Sequence, residues 1–169
     1  MDFTNKTYRN IFKETGRTDE EIQNKLQEAW NTFFADEDER IYHEAGSDMG
    51  YLTDTGNNDA RTEGMSYGMM MCVQMDKKEE FDRIWKWTKT YMYMDSGDEA
   101  GYFCWSNNLD GTKRAQGAAP DGEEFFAMAL FFASHRWGDG EGIYNYTKWA
   151  KQILRTVIHH PVPMWKKDE

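Results

Sequence analysis

Five segments of this chain place apolar residues at helical spacing, and the links between them alternate between long and short. That alternation constrains the fold more than any single residue does. The segments are 18–34, 62–75, 77–94, 121–137 and 145–158. In the first, TDEEIQNKLQEAWNTFF, Thr18 and Glu21 form a capping box, and Ile22, Leu26, Trp30 and Phe33 form one apolar stripe. The third sets Phe81, Ile84, Thr88, Tyr91 and Met92 on one side, and the last turns Trp149, Ile153, Leu154 and Val157 inward. The fourth opens at Pro120–Asp121 and closes at Gly138. Its middle, FFAMALFFAS, is apolar nearly all round, which predicts burial on most faces. No stretch reads as a convincing strand, so the expected class is all-α.

Residues 35–61 and 95–120 are the long links, whereas the second and third helices are nearly continuous and the fourth and fifth are joined by the short GDGEGIY turn. In a set of antiparallel helical hairpins, this puts both long links on one rim, together with the starts of the second and fourth helices. Links longer than about 12–15 residues in a compact domain usually carry function. One rim is thereby nominated as a site, and Glu63 and Asp121 both belong to it.

The chain has 169 residues, a length that fits one domain, and its balance of 39% hydrophobic and 30% charged residues is that of a globular protein. A net charge of −10, with no basic cluster beyond Lys166–Lys167, argues against a nucleic-acid partner. No apolar stretch is long enough to span a membrane, and MDFTNKTYRN lacks the apolar core of a signal peptide. Two cysteines without a framework pattern, Cys72 and Cys104, fit reduced thiols and a cytoplasmic location. The sequon-like Asn5-Lys6-Thr7 and Asn145-Tyr146-Thr147 then carry no meaning. No metal or cofactor is expected. His43, His135, His159 and His160 do not form a converging set, and Asp36-Glu37-Asp38-Glu39 lacks the spacing and glycine of a calcium loop. Aromatic residues are abundant at 15%, and they read either as large packing units or as flat platforms for sugars or bases.

The stretch NNDARTEGMSYGMMM, residues 57–71, delivers Arg61 and Glu63 directly into a methionine-rich apolar run. Asp121 followed by Glu124 reads as an N-cap with its N3 partner, a structural role. Glu63 is harder to assign to capping, because the position three residues earlier is Ala60, which has no side-chain acceptor; Thr62 is the better cap. Separated carboxylates among aromatic platforms suit glycoside hydrolysis, in which one acid must hold a proton near neutral pH. A helix start and a neighbouring arginine favour the charged form of such an acid, whereas burial and a second carboxylate favour the neutral one.

Three stretches carry a resemblance: NNDARTEGMSYGMMMCVQMDKKEEFDRIWKWTKTYM, GYFCWSNNLDGTK and APDGEEFFAMALFFASHRWGDGEGIYNY. They resemble glycoside hydrolase family 8, and within it the reducing-end xylose-releasing exo-oligoxylanases. The resemblance runs from about Asn10 almost to the C-terminus, and RTEGMSYGMM is its most specific motif. It implies an (α/α)6 barrel, a ring of helical hairpins with its cleft on one rim. It implies that Glu63 is the general acid of an inverting mechanism, that Asp121 binds and helps distort the sugar, and that Trp105 stacks on it. Arg61 and Tyr67, in the same motif, are expected to contact the substrate, a β-1,4-linked xylo-oligosaccharide.

Members of that family are roughly twice this length, and only about five of the twelve barrel helices can be read here. The expectation is therefore that residues 1–169 form the N-terminal portion of one catalytic domain, with the general base beyond residue 169. Such a portion alone is expected to be inactive and to self-associate through exposed apolar barrel faces. Rival readings are a carbohydrate-binding helical module without catalysis, an endo-acting xylanase or glucanase of the same family, and a helical-hairpin protein that binds partners through its apolar surface.

Overall fold

The computed structural model describes residues 9–115 and 117–160, and the chain forms two compact units that divide at Arg40–Ile41. In the first unit, helix α1 (Ile11–Glu14) is followed by α2 (Asp19–Trp30). The capping box at the start of α2 is present: the Glu21 amide donates to Thr18 Oγ1 at 3.2 Å, and the Thr18 amide donates to Glu21 Oε2 at 2.9 Å. The expected apolar stripe is only half realised, since Leu26 and Phe33 are 41% and 40% exposed. A wider π turn, Asn31–Ala35, follows α2 and moves the inward position from Phe33 to Phe34. Phe34 stacks on Trp30 with ring centroids 3.9 Å apart.

The second unit is mainly helical, as expected, and also contains four short strands where the sequence shows no convincing one. Strands β1 (Tyr42–Ala45) and β2 (Met49–Leu52) form an antiparallel hairpin that turns at Gly46, whose φ of 64° lies in the left-handed region. Strands β3 (Ala60–Arg61) and β4 (Ser106–Asn107) form a second antiparallel pair. The hairpin strands are too short to show an alternating pattern, and the second pair joins residues far apart in sequence. Neither leaves a local signal.

Four helices form the body of this unit: α3 (Thr62–Gln74), α4 (Lys78–Trp87) continued by a π turn over Thr88–Met92, α5 (Pro120–Trp137) and α6 (Tyr146–His159). They coincide with the last four expected segments to within a residue or two at most ends. α3 packs on α4 and on α5, and α5 packs on α6. The α3–α4 turn closes at Asp76, which adopts a left-handed φ of 59° and accepts a 2.7 Å bond from Trp137 Nε1 at the end of α5. At the opposite end, Gly122 of α5 lies against Thr62 of α3. The two helices therefore run parallel, with both starts on one rim.

Trp85 occupies the centre of the core, completely buried among Phe103, Phe126 and Trp149, with its indole N–H donating to the Ile143 carbonyl at 2.7 Å. Met65, Met69 and Cys72 of α3 are also completely buried, so the methionines behind Glu63 act mainly as packing. One face of α5 is open, contrary to burial on most faces: Phe126, Leu130 and Ala133 point inward, but Met128 and Phe132 are 39% and 47% exposed. No helix among the described residues is long and apolar enough to cross a membrane.

Candidate active site

The start of α3 is fixed by strand pairing, not by a capping side chain. The β3–β4 ladder continues one step further, with the Thr62 amide donating to the Trp105 carbonyl at 3.0 Å. Arg61 takes the N-cap position in extended conformation, so Thr62 is the first helical residue and not the cap expected from the sequence. The strand partner satisfies a helix-start N–H that a cap side chain would otherwise meet. Glu63 consequently sits in the first turn, half-buried, and among the described residues no ion pair engages it. Its nearest side-chain donor, Thr62 Oγ1, lies at 3.5 Å.

Glu63 faces a cavity of about 420 Å³ whose walls include Leu52, Asp54, Arg61, Tyr67 and Met71. Tyr67 lies one helical turn after Glu63, is 48% exposed and meets Phe125 of α5 edge-on. Arg61 is held from behind: its Nε donates to the completely buried carboxylate of Asp59 at 3.0 Å, and Asp54 lies at 3.9 Å. Its guanidinium rests over the Trp105 ring, 5.3 Å from the centroid. Asp59 also accepts from Ser106 Oγ at 2.6 Å and pairs with Arg114 at 3.4 Å. This buried carboxylate thus ties together the strand before Glu63, the strand after Trp105 and the cation that stacks on Trp105.

At the start of α5, Ala119 is the N-cap and Pro120 the first helical residue. Asp121 is not the N-cap that the sequence suggests; it is exposed in the first turn, and no side chain caps this helix. Its carboxylate is therefore left available. Gly122 is needed for close approach, because a Cβ there would lie 2.5 Å from Thr62 Cβ. Glu123, completely buried, accepts from the Phe103 amide at 2.9 Å, and burial together with the nearby Asp121 and Glu63 pushes its carboxyl up to about 7.

The structure thus brings Arg61, Glu63 and Tyr67 to one cavity, stacks Trp105 on Arg61 and sets Asp121 at the start of the adjacent helix. Asp59 and Glu123 were not singled out in the sequence. Asp59 carries a signal that could have found it, an acid two residues before an arginine in a strand-like stretch. Glu123 carries none, since burial separates it from Glu124 and adjacent acids look alike in sequence. Among the described residues, no three of the His, Cys, Asp and Glu side chains gather to hold a metal.

The family model for Glycosyl hydrolases family 8 matches residues 21–163, which include every side chain of this site. The chain belongs to glycosyl hydrolase family 8. This family 8 chain is 56% identical over 173 aligned residues to the reducing end xylose-releasing exo-oligoxylanase of Halalkalibacterium halodurans, a match that covers 98% of the chain and 45% of that relative. Endoglucanase A of Acetivibrio thermocellus is more distant, 30% identical over 63% of the chain. A crystal structure of a reducing-end-xylose releasing exo-oligoxylanase complexed with xylose superposes with a TM-score of 0.90 at 58% identity, over 94% of this chain and 43% of that one. The helical hairpins described above are therefore part of an (α/α)6 barrel, and the chain spans about 45% of the length of that curated exo-oligoxylanase.

Proposed function

We propose that this chain supplies the general-acid portion of an inverting glycoside hydrolase that releases xylose from the reducing end of β-1,4-linked xylo-oligosaccharides. Glu63 protonates the departing glycosidic oxygen. Asp121, on the adjacent helix start, holds the sugar at the cleavage point and favours its distorted ring. Trp105 stacks on a sugar face, and Arg61 and Tyr67 line the wall beside the scissile bond. Inversion requires a second carboxylate about 6.5–9.5 Å from the acid to activate water on the opposite sugar face. We assign that base to the stretch of the relatives that follows the matched region. The unpaired, buried thiols of Cys72 and Cys104 suit a cytoplasmic setting.

The observation that carries this reading is an unpaired carboxylate at a helix start, opening on a cavity beside a cation-backed tryptophan. Family 8 also contains endoglucanases, and the much higher identity to the exo-oligoxylanase favours xylo-oligosaccharides. The test joins residues 1–169 to the portion of the Halalkalibacterium halodurans relative beyond its matched region. The joined protein is expected to release xylose with inversion, seen by proton NMR of the first-formed anomer. Glu63→Gln is expected to lower kcat by about 10²–10⁴-fold, and the 169-residue chain alone is expected to show no turnover. Binding of xylo-oligosaccharides by the joined protein without cleavage would favour a carbohydrate-binding module. Turnover by the 169-residue chain that disappears with Glu63→Gln would overturn the assignment of the base to another segment.

A further inference from the structure

Asp59 and Glu123 are the two completely buried carboxyl groups among the described residues, and their surroundings differ. Asp59 is met by Arg61, Arg114 and the Ser106 hydroxyl. Glu123 is met by one main-chain donor, the Phe103 amide on Oε1, and its other oxygen, Oε2, has no hydrogen-bond partner. A charged carboxylate in such a place is far more costly than a neutral one. Two other acids add to that cost, Asp121 on the same helix and Glu63 on α3. Two other titratable groups bear on this segment: the Tyr102 phenol, which interacts with Glu123, and Lys89 after α4, whose Nζ lies over the Phe103 ring, 5.8 Å from its centroid.

What Glu123 holds matters for the site. Phe103 pairs with Tyr93 in an isolated bridge, through the Cys104 amide on the Met92 carbonyl and the Met94 amide on the Tyr102 carbonyl. That pairing leaves the Phe103 amide facing α5, where Glu123 receives it. Two residues on, the Trp105 carbonyl accepts from Thr62, the residue that precedes Glu63. One continuous path therefore runs from the Glu123 side chain in the first turn of α5, through the main chain of Phe103–Trp105, to the first turn of α3.

We propose that Glu123 is a positioning residue: its buried carboxyl fixes the Phe103–Trp105 segment on α5 and so sets the sugar-stacking face of Trp105 against the helix start that carries Glu63. The sugar-stacking part rests on the function proposed above; the clamp itself does not. Held neutral, Glu123 accepts the Phe103 N–H without adding a third negative charge beside Glu63 and Asp121. When it loses its proton, the Phe103 N–H favours the charged form, but burial and the two neighbouring acids oppose it more strongly; relieving that charge moves the Glu123 side chain and shifts the segment it holds.

The test has a structural and a kinetic arm. Nitrogen–proton NMR spectra are recorded from about pH 5 to about pH 9 on the 169-residue chain and, with selective labelling, on the joined protein. The Phe103 amide and the Trp105 indole are expected to move together with a common midpoint near 7. Both movements are expected to vanish in Glu123→Gln, which keeps an acceptor oxygen but cannot ionise. A Phe103 amide that titrates in the same way in Glu123→Gln overturns the clamp, as does one that does not titrate in the wild type. In the joined protein, Glu123→Leu is expected to raise KM for xylo-oligosaccharides roughly tenfold, the equivalent of one lost hydrogen bond. The wild-type KM is expected to rise as pH passes through the common midpoint, and that rise is expected to be absent in Glu123→Gln. If Trp105→Ala raises KM and Glu123→Leu does not, positioning by Glu123 is refuted. If neither changes KM while the NMR titration holds, the clamp stands and the sugar-stacking role of Trp105 falls.

Discussion

Replacing Gly122 by alanine tests whether the spacing of the two acid-bearing helix starts depends on the absence of one methyl group. The added Cβ would lie 2.5 Å from Thr62 Cβ, 2.6 Å from Thr62 Oγ1 and 3.3 Å from the Thr62 carbonyl carbon. Non-bonded carbons prefer about 3.5–4.0 Å, so the closest pair is short by roughly 1 Å. Thr62 is completely buried, and its Cβ is fixed to the backbone, so no rotamer change removes the overlap. The helix starts must therefore separate. Overpacking of this kind costs about 1–3 kcal/mol, and the better helix propensity of alanine returns up to about 1 kcal/mol. A net loss of about 1–2 kcal/mol is expected, a five- to thirty-fold drop in the folded-to-unfolded ratio. Urea unfolding of the joined protein should show a lower midpoint with an unchanged slope, and kcat should fall by up to about 10²-fold, since a misplacement near 1 Å is costly in catalysis. The decisive measurement is the double variant with Thr62→Gly, which removes both atoms nearest the added methyl. The alanine should cost at least about 1 kcal/mol less there than in the wild-type background. Gly122→Ala with wild-type stability and turnover would refute the close-approach argument.

Three further outcomes follow from the surroundings of particular side chains. Asp59→Asn removes the charge that anchors Arg61 and is expected to cost about 1.5–3 kcal/mol; Trp105 should become more accessible to acrylamide quenching, and unchanged quenching would separate Arg61 from the placement of Trp105. Lys89 lies over the rings of Tyr93 and Trp149, with Nζ 2.9 and 3.7 Å from their centroids, and burial lowers its pKa to about 7. The ring faces favour the cation, and burial opposes it more strongly. Between that value and the ordinary lysine value near 10.4, the folded state binds fewer protons than the unfolded one, so the Lys89 contribution to stability rises with pH. Lys89→Met should raise stability at pH 6 and flatten this rise, as read by denaturant titration; an unaltered profile would mean that the rings compensate for burial. The open face formed by Tyr67, Met128 and Phe132 should make the 169-residue chain self-associate in sedimentation velocity. Met128→Lys combined with Phe132→Lys should weaken that association, and joining the relative's further portion should abolish it.

Much of the helical framework was legible because its signals are local. The Thr18 capping box, the Gly138 stop and the inward set Phe81, Ile84 and Met92 all depend on residues within a few positions of one another, and all appear in the structure. What escaped depends on distant partners. The β3–β4 pair exists because Ala60 and Arg61 meet Asn107 and Ser106, and no local pattern announces that meeting. The same pairing replaced Thr62 with Arg61 as the cap of α3. Asp121 looked like a cap because an acid followed three positions later by another has that form. The proline before it shifts the helix start by two residues, and this frees the carboxylate. Glu63 was legible as an oddity from spacing alone, whereas its assigned role rested on the motif around it. The difference between Glu123 and Glu124 was not legible at all, because it lies in which neighbour each side chain meets.

The bond from Trp137 to Asp76 lies at the pole of the helix pair farthest from the acids, yet it belongs to the same geometry. With Gly122 against Thr62 at one end and this bond at the other, α3 and α5 are fastened together like two rails on common sleepers. The stretches between the elements of the rim are bound by different means, mostly short strands and side chains. Side chains in those stretches can therefore be exchanged while the gauge between Glu63 and Asp121 stays fixed, so the lining of the rim and the spacing of its acids are free to change independently.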